Sequence, residues 1–167
     1  MKRIVIAALL SAAFAVPAFA ADGKNSIGIN YGFDNNGVVG VQGEMDISSA
    51  MPNKAPVSIQ VFWKNYSQSY RTGAGTYQYS YNGFGAAAIY DFGAVIKQNE
   101  RIRPYAGAGL ITLNSNLSGP NLPFPAGPNS GGLYVTAGAR YELTPQVSAD
   151  LNYNNYGGLT IGAIFNF

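Results

Sequence analysis

The sequence lacks two residue types altogether: none of its 167 residues is cysteine or histidine. Without cysteine no disulfide can form, so burial and backbone pairing must supply the stability of the fold. Without histidine, Ser-His and Cys-His nucleophilic mechanisms are excluded, and the commonest transition-metal ligands are missing. We therefore predict a non-enzymatic protein without catalytic residues, metal ions or cofactors, and only a carboxylate-based hydrolase stays formally open.

Charge is scarce as well, because charged residues make up 11% of the chain, against about a quarter in typical soluble domains. The chain carries ten Lys and Arg residues and eight Asp and Glu residues. Two of the basic residues, Lys2 and Arg3, precede an apolar run, and their removal with that run would leave eight charges of each sign. No clustered basic face of the kind that nucleic acids require is present, so we predict no nucleic-acid partner.

The long apolar run lies near the start of the sequence, at residues 4–16. It follows the two cationic residues and precedes a proline and the small-residue site AFA. This order is typical of a secretory signal peptide that is cleaved after Ala20, and a retained membrane anchor is the alternative. We predict a signal peptide at 1–20 and one domain at 21–167, in which no later run suits a membrane-spanning helix.

The rest of the sequence is rich in glycine, tyrosine, asparagine and serine, which favours an all-β fold with many turns. Most segments of strand length alternate apolar with polar or small residues. In SIGINYGF, for example, Ile27 and Ile29 share one face while Ser26 and Asn30 share the other. The eight predicted segments are 26–33, 37–47, 57–66, 77–92, 102–113, 132–143, 146–156 and 158–167.

Two of these segments do not show a clear pair of faces. In 77–92 the aromatic residues change parity midway, and a β-bulge near Asn82 and Gly83 would reconcile the two sets, because a bulge reverses the faces beyond it. The two sets are Tyr77, Tyr79 and Tyr81, then Phe84, Tyr90 and Phe92. Segment 102–113 is so rich in small residues that its faces cannot be assigned.

The connections differ in length. Residues 34–37, DNNG, predict a tight hairpin turn. Two connections are long, 67–75 and 114–132, and they fall at the same end of the sheet as this turn. The opposite end holds shorter turns, although the turn at 48–55 is longish. Long loops at one end and shorter turns at the other are typical of barrels that span the outer membrane.

The two predicted faces differ in charge. Six charged residues of mixed sign lie on the polar face, where we expect them to pair with one another inside the fold. They are Glu44, Asp46, Lys64, Arg140, Glu142 and Asp150. The opposite face of the clear segments carries no charge, as a lipid-facing surface requires. Aromatic residues near the segment ends are expected at the membrane interface. They are Tyr31, Phe33, Trp63, Tyr66, Tyr77, Tyr141, Tyr153, Phe165 and Phe167.

The leader, the eight segments, the motif RPYAGAGL and the final IGAIFNF together resemble the small eight-stranded outer-membrane β-barrel family of Gram-negative bacteria, the group around OmpX and the OmpA membrane domain. The resemblance implies an eight-stranded antiparallel up-and-down transmembrane β-barrel in the cell outer membrane. It also implies that the barrel-assembly machinery recognises an aromatic C-terminal signal. The signal positions are Tyr156, Leu159, Ile161, Ala163, Phe165 and Phe167. Outer-membrane lipid and this machinery are the implied partners, and we expect a monomer.

Three functional hypotheses follow. The leading one is an envelope-structural or surface-interaction role, with Leu122, Pro123 and Phe124 of the long loop as candidate contacts for an unidentified surface partner. The second is a narrow porin-like channel for ions or small solutes, whose space would come from inward-facing glycines such as Gly28 and Gly138. The third and weakest is a soluble periplasmic lipocalin-like binder.

Overall fold

The computed structural model describes residues 25–33, 37–73, 75–96, 101–118 and 130–167. Eight strands form one closed sheet in chain order, in which all neighbours are antiparallel and the first strand pairs with the last. The predicted up-and-down barrel is therefore confirmed, while the predicted leader lies outside the described residues. The strands are β1 (Ser26–Gly32), β2 (Val38–Asp46), β3 (Val57–Thr72), β4 (Gly75–Asp91), β5 (Ile102–Ser118), β6 (Ser130–Thr144), β7 (Val147–Asn154) and β8 (Gly158–Asn166).

The strands alternate between an apolar exterior and a largely polar interior. In β1, Ile29 and Tyr31 are exposed on the outer face, while Ser26 is buried inside. In β8, Phe165 is 48% exposed and its neighbour Ile164 is 1% exposed. Among the described strand residues, Arg71 near the far end of β3 is the one charged residue with outward parity. The exterior of the barrel proper is thus suited to lipid.

The strands fall into two groups by length. The consecutive strands β3, β4, β5 and β6 have 16, 17, 17 and 15 residues, and we name them the tall wall. The strands β7, β8, β1 and β2 have 8, 9, 7 and 9 residues, and we name them the low wall. Neither neighbouring low-wall strand reaches the top of the tall wall, because β2 pairs with β3 only as far as Tyr66 and β7 pairs with β6 only from Thr136.

The tall wall therefore stands above one rim of the barrel. We name this part the protrusion; it comprises residues 67–72 of β3, 75–81 of β4, 114–118 of β5 and 130–135 of β6. The rim that carries it is the outer mouth, and the opposite rim is the inner end. In outer-membrane barrels the longer hairpins face the cell exterior, so the protrusion is assigned to that side.

The predicted long connection at 67–75 is wrong. β3 continues to Thr72 and pairs there with Gly75, the first residue of β4. The alternating Ser, Tyr and Thr residues of this segment favour extended backbone, which explains the longer hairpin. The other long connection contracts to 119–129, so the candidate contacts Leu122, Pro123 and Phe124 lie outside the described residues, as do positions 34–36 of the predicted hairpin turn.

The predicted β-bulge in β4 is also wrong. The pairing of β4 with β3 and with β5 runs without a register shift. β4 therefore keeps one phase, with Phe84 outside and Ile89 inside. The pairing also assigns the two faces of β5. Leu110 is 70% exposed on the exterior, and Ile111 is 2% exposed in the interior. An irregularity lies instead between Glu142 and Thr144, where β6 meets β7.

Short helical turns connect strands at the inner end. Two 3₁₀ turns, Ser48–Ala50 and Pro52–Lys54, join β2 to β3, and the one-turn helix α1 (Gly93–Ile96) follows β4. These connections are as long as those at the outer mouth, so the predicted asymmetry is carried by strand length and not by loop length. No helix among the described residues is long and apolar enough to cross a membrane.

Asn155, in the β7–β8 turn, covers part of the β6 edge where β7 has ended. Its side-chain amide nitrogen donates to the carbonyl oxygen of Leu133 at 2.8 Å, and its side-chain oxygen accepts from the backbone N–H of Val135 at 2.9 Å. Its backbone N–H donates to the Val135 carbonyl at 3.3 Å. One residue thus satisfies backbone groups that a further strand would otherwise pair with.

Candidate functional site: barrel interior and outer mouth

Arg140 of β6 reaches across the barrel interior to Glu44 of β2. Two guanidinium nitrogens donate to the two carboxylate oxygens of Glu44, at 3.0 and 2.5 Å. The Nε atom of Arg140 lies 3.7 Å from an oxygen of Asp150 on β7, and the Ser58 hydroxyl donates to Glu44 at 2.5 Å. Because two parallel hydrogen bonds fix the orientation of both groups, this pair joins the tall wall to the low wall.

Asp150 begins a polar ladder on the inner surface of the low wall. Its buried carboxylate accepts from the Tyr105 hydroxyl at 2.9 Å and from the Asn152 amide at 2.5 Å. Asn154 and Thr160 both donate to the Asn152 side-chain oxygen, at 3.2 and 2.5 Å. Burying a polar group without a hydrogen-bond partner costs free energy. In β7 the partners Asp150, Asn152 and Asn154 lie two residues apart on the same face.

Lys64 of β3 lies farther towards the outer mouth and is 3% exposed. Its ammonium group donates to the Asn154 side-chain oxygen at 2.7 Å. It also lies 5.2 Å from the centre of the Tyr134 ring and 5.9 Å from that of Phe62. An amide and two aromatic faces therefore hold this cation, and hydrogen bonds of the ladder connect it to Asp150 through Asn154 and Asn152.

Apolar side chains of the tall wall fill the interior at mid-height. The rings of Phe62 and Tyr134 lie 4.2 Å apart. Ile89, Ile111 and Tyr105 are at most 5% exposed and belong to the same cluster. An eight-stranded barrel is just wide enough for side chains to fill, so this packing leaves the middle of the described barrel closed.

The inward-facing glycines do not leave the space expected of a channel. A Cβ atom at Gly138 would lie 2.5 Å from the carbonyl oxygen of Leu151, and one at Gly162 would lie 2.6 Å from that of Ile29. At Gly28 the nearest backbone oxygen would be 3.1 Å away. The interpretation of these glycines as lumen space is wrong, since they allow neighbouring strands and side chains to approach closely.

The remaining predicted charges, Asp46 and Glu142, lie near the inner end. An oxygen of Asp46 accepts from the backbone N–H of Ser48 at 2.7 Å. Together with Glu44 and Arg140 they line a polar cavity of about 260 Å³ that opens at this end. The predicted set is therefore divided among this cavity, the Arg140 pair and the separate Lys64 site.

A second ion pair at the inner end escaped prediction. The Nε atom of Arg103 donates to Asp91 at 2.8 Å, and Asp91 also accepts from the backbone N–H of Gly93 at 2.8 Å. Both residues lie in the strands whose faces could not be assigned. Their odd numbers match the inward parity of Ile89 and Tyr105, which is the signal that would have placed them inside.

The polarity of β4 reverses where this strand leaves the barrel. Trp63 pairs with Phe84 on the exterior, and below them the outward residues of β4 are apolar. Above Phe84 the outward positions of β4 are Asn82, Ser80, Gln78 and Thr76. Asn65 donates to Asn82 at 2.9 Å on this outer surface. The apolar band thus ends at Trp63 and Phe84, which marks the level of the lipid headgroups.

The inward surface of the protrusion is aromatic. Tyr66 and Tyr81 stack with their ring centres 4.9 Å apart, and Tyr79 meets Tyr81 edge to face at 6.3 Å. The expected interfacial position of Tyr66 and Tyr77 is therefore wrong, because Tyr66 is 5% exposed and faces inward and Tyr77 has the same inward parity as Tyr79. Other members of that set, Tyr31 and Phe165 among them, are exposed on the exterior.

A second cavity of about 260 Å³ lies at the outer mouth, and we name it the mouth cavity. It lies between the protrusion and the β7–β8 turn, where the Tyr81 hydroxyl donates to the carbonyl oxygen of Tyr156 at 3.2 Å. None of its described lining residues is charged, and they include Tyr79, Tyr81, Ser115, Ser130, Asn155 and Tyr156.

The described residues contain no metal site. No group of three His, Cys, Asp or Glu side chains among them is placed to hold an ion. The oxygens of Glu44 and Asp150 accept hydrogen bonds from Arg140, Ser58, Tyr105 and Asn152. These contacts hold the two walls together.

Comparison with solved structures gives several β-barrels of the same fold. The N-terminal barrel domain of Pseudomonas aeruginosa OprF has 19% identity and a TM-score of 0.55, covering 87% of this chain and all (100%) of that one. Neisserial surface protein A has 21% identity and a TM-score of 0.58, covering 86% and 95%. Ail of Yersinia pestis, in complex with the heparin analogue sucrose octasulfate, has 14% identity and a TM-score of 0.52, covering 87% and 99%.

At these identities the likeness establishes the fold alone. No curated protein sequence matches the chain. Residues 6–162, however, match the family described as the outer membrane protein beta-barrel domain. Because this match spans most of the sequence and the strands close into the corresponding barrel, the chain belongs to that family and is a protein of the bacterial outer membrane.

Proposed function

We propose that this protein is a non-enzymatic surface-recognition protein, which contacts partners outside the cell through the protrusion. The observation that carries the proposal is the reversal of polarity above Phe84, which gives β4 an inward tyrosine surface and a polar outward surface beyond the membrane. Tyrosine, serine, glycine and asparagine dominate there. The same residue types dominate antibody combining sites, where tyrosine supplies rigid contact area and the small polar residues supply adaptable hydrogen bonds.

The barrel below supplies a rigid base for this surface. The Arg140–Glu44 pair and the Tyr105–Asp150 hydrogen bond join opposite walls, and the Phe62–Tyr134 contact fills the middle. Binding sites built on rigid strands hold their geometry better than sites on loops. We propose that the interior charges serve this structural purpose, and that the barrel is a rigid support for the protrusion and not a channel.

The first experiment shortens the protrusion. Deletion of residues 68–79 would bring Ser67 and Ser80, which are already paired, together through a new Asn-Gly turn. The matched control keeps both strands and replaces only residues 73–74 by the same turn. Bacteria that display each variant are then tested for adhesion to immobilised glycans and extracellular proteins.

We expect the full-length and control proteins to promote adhesion and the shortened one to lose it. Each variant must first migrate differently on a detergent gel when boiled and unboiled, which shows that its barrel is folded. If the shortened, folded barrel promotes adhesion as well as the full-length protein, the protrusion is not the recognition surface.

We also propose that the last strand carries the signal for the barrel-assembly machinery. In support, Leu159, Ile161, Phe165 and Phe167 are all exposed on the outer surface, where another protein could contact them before lipid does. Replacing Phe167 by serine should lower the amount of folded barrel in cells and leave refolding of the purified chain into detergent unchanged. An equal loss in both assays would indicate a role in stability alone.

Residues 1–20 are proposed as a cleaved signal peptide. Their order of cationic, apolar and small residues supports this proposal. Sequencing the amino terminus of protein from outer membranes should give Ala21 as the first residue.

A further inference from the structure

We propose that the mouth cavity binds a single neutral sugar ring of a glycan. The inference deepens the proposed surface recognition and rests on it, because it assigns a class of ligand to one part of the protrusion. It is carried by three features of the cavity: its aromatic wall, the hydroxyl groups around that wall, and the absence of charge among its described lining residues.

The aromatic wall is formed by Tyr79 and Tyr81, whose rings are held by their neighbours. Tyr81 stacks on Tyr66 at 4.9 Å, and its hydroxyl donates to the Tyr156 carbonyl oxygen at 3.2 Å. Tyr79 leans edge to face on both Tyr66 and Tyr81, at 6.4 and 6.3 Å, and stays 37% exposed. A fixed and partly exposed ring offers a flat apolar face with a polar tip, which matches a pyranose ring with its C–H face and hydroxyl edge.

Polar groups surround this aromatic face. Ser115 and Ser130 contribute hydroxyl groups from β5 and β6, and Asn155 and Tyr156 line the opposite side. Hydroxyl groups both donate and accept hydrogen bonds, so they can pair with the hydroxyls of a sugar in either sense. The volume of about 260 Å³ lies just below the roughly 300–1,000 Å³ of pockets for drug-sized molecules, which suits one ring of a longer chain.

The absence of charge selects among sugars. None of the described lining residues is charged, and the Lys64 ammonium group, which is buried, is bonded to the lining residue Asn154 at 2.7 Å. A sulfated or acidic sugar would find no arginine or lysine in the lining, and an amino sugar would find no carboxylate. Because an unpaired charge loses solvation on binding, the cavity favours a neutral ring.

The test uses the full barrel refolded in phospholipid nanodiscs. The probes are the methyl glycosides of glucose, galactose and N-acetylglucosamine, with glucuronic acid and glucosamine as charged counterparts. Saturation-transfer NMR reports which ring protons contact the protein and gives dissociation constants. The variants are Tyr79→Ala, which removes the exposed ring, and Tyr79→Phe, which removes only its hydroxyl. Gln78→Ala is the control, since Gln78 is exposed on the opposite face of the same strand.

We expect a neutral glycoside to bind, and Tyr79→Ala to weaken it about tenfold, as the loss of one stacking contact predicts. Tyr79→Phe should retain most of the binding, and Gln78→Ala should leave it unchanged. If Tyr79→Ala fails to fold, Ser130→Trp fills the cavity from its exposed rim and should abolish binding. The inference is overturned if neutral glycosides do not bind, if the charged counterparts bind better, or if Tyr79→Ala and Ser130→Trp have no effect in folded protein.

The sugar could come from the membrane itself or from outside the cell, and nanodiscs with and without lipopolysaccharide distinguish these two sources. Lipopolysaccharide in the disc would compete with the soluble glycoside if the membrane's own sugar occupies the cavity. Unchanged binding of the glycoside would point to a glycan from outside the cell. Failure of this inference is distinct from failure of the proposed function. A protrusion that supports adhesion but binds no sugar would contradict the inferred sugar site and leave the proposed role in surface recognition intact.

Discussion

The tall wall and the low wall follow the same two-residue alternation but differ in length and in what they bury. The tall wall has strands of 15 to 17 residues and contributes the apolar cluster of Phe62, Ile89, Ile111 and Tyr134. The low wall has strands of 7 to 9 residues and contributes the amide and carboxylate ladder from Asp150 to Asn154. The two interiors meet where Tyr105 and Arg140 approach Asp150.

The difference shows that one sequence pattern serves two environments. Within the membrane, alternation separates a lipid-facing surface from a polar or packed interior. Above Phe84, the same alternation in β4 separates a water-facing exterior from an inward tyrosine surface. The face of an aromatic residue therefore depends on its height along the strand as well as on its parity.

The largest effect is expected from breaking the contact between the walls. Asp150→Ala would leave the Tyr105 hydroxyl, the Asn152 amide and one side of Arg140 without their buried partner. Breaking a buried, hydrogen-bonded charge contact costs about 3–5 kcal/mol of unfolding free energy. Urea unfolding of the barrel in lipid vesicles measures this cost. Glu142→Ala, on the same inward face but beside the open inner cavity, should cost less than about 1 kcal/mol.

A smaller effect should locate the membrane boundary on the tall wall. Ala88 lies midway between Phe84 and Phe92 on the outer face of β4, so Ala88→Arg should cost about 2–4 kcal/mol in the same unfolding assay. Ser80→Arg places the same side chain on the same face of the same strand, but above Phe84, where we expect almost no cost. Equal costs at the two positions would mean that lipid covers both, and the protrusion would then lie in the membrane.

The smallest effect is expected in conductance. Because the Phe62–Tyr134 contact and the neighbouring apolar cluster close the middle of the barrel, the folded protein should give no discrete current steps in a planar lipid bilayer. Reproducible steps that weaken in Glu44→Gln would contradict this expectation. They would show that the interior conducts ions, and the channel hypothesis would then replace the proposal that the barrel is a rigid support.

Much of the fold could be predicted because lipid exposure imposes a strict alternation. The faces of β1, β2, β6, β7 and β8 follow directly from the sequence, and the barrel with its eight strands is confirmed. The apparent change of phase in β4 was misinterpreted as a bulge because the aromatic residues of this segment were assumed to share one face. Tyr79 and Tyr81 instead face inward in a part of the strand that lies beyond lipid.

The interior site was only partly predictable. Parity placed Glu44, Lys64, Arg140 and Asp150 on one face, but it carries no information on which of them meet across the barrel. The register decides that, since Arg140 lies opposite Asp150 while Lys64 lies on β3 and bonds to Asn154. The apolar cluster was missed because Tyr105 and Ile111 lie in the small-residue segment, where neither face stands out.

Asn155 has a consequence for how the protein behaves at high density. A sheet that stands above the membrane with two open edges could add strands from neighbouring molecules on both sides, and repeated addition would polymerise the barrels into linear arrays. At the β6 edge, an incoming strand would first have to displace the Asn155 amide from Leu133 and Val135. The Asn155 side chain therefore opposes the addition of a strand at the β6 edge.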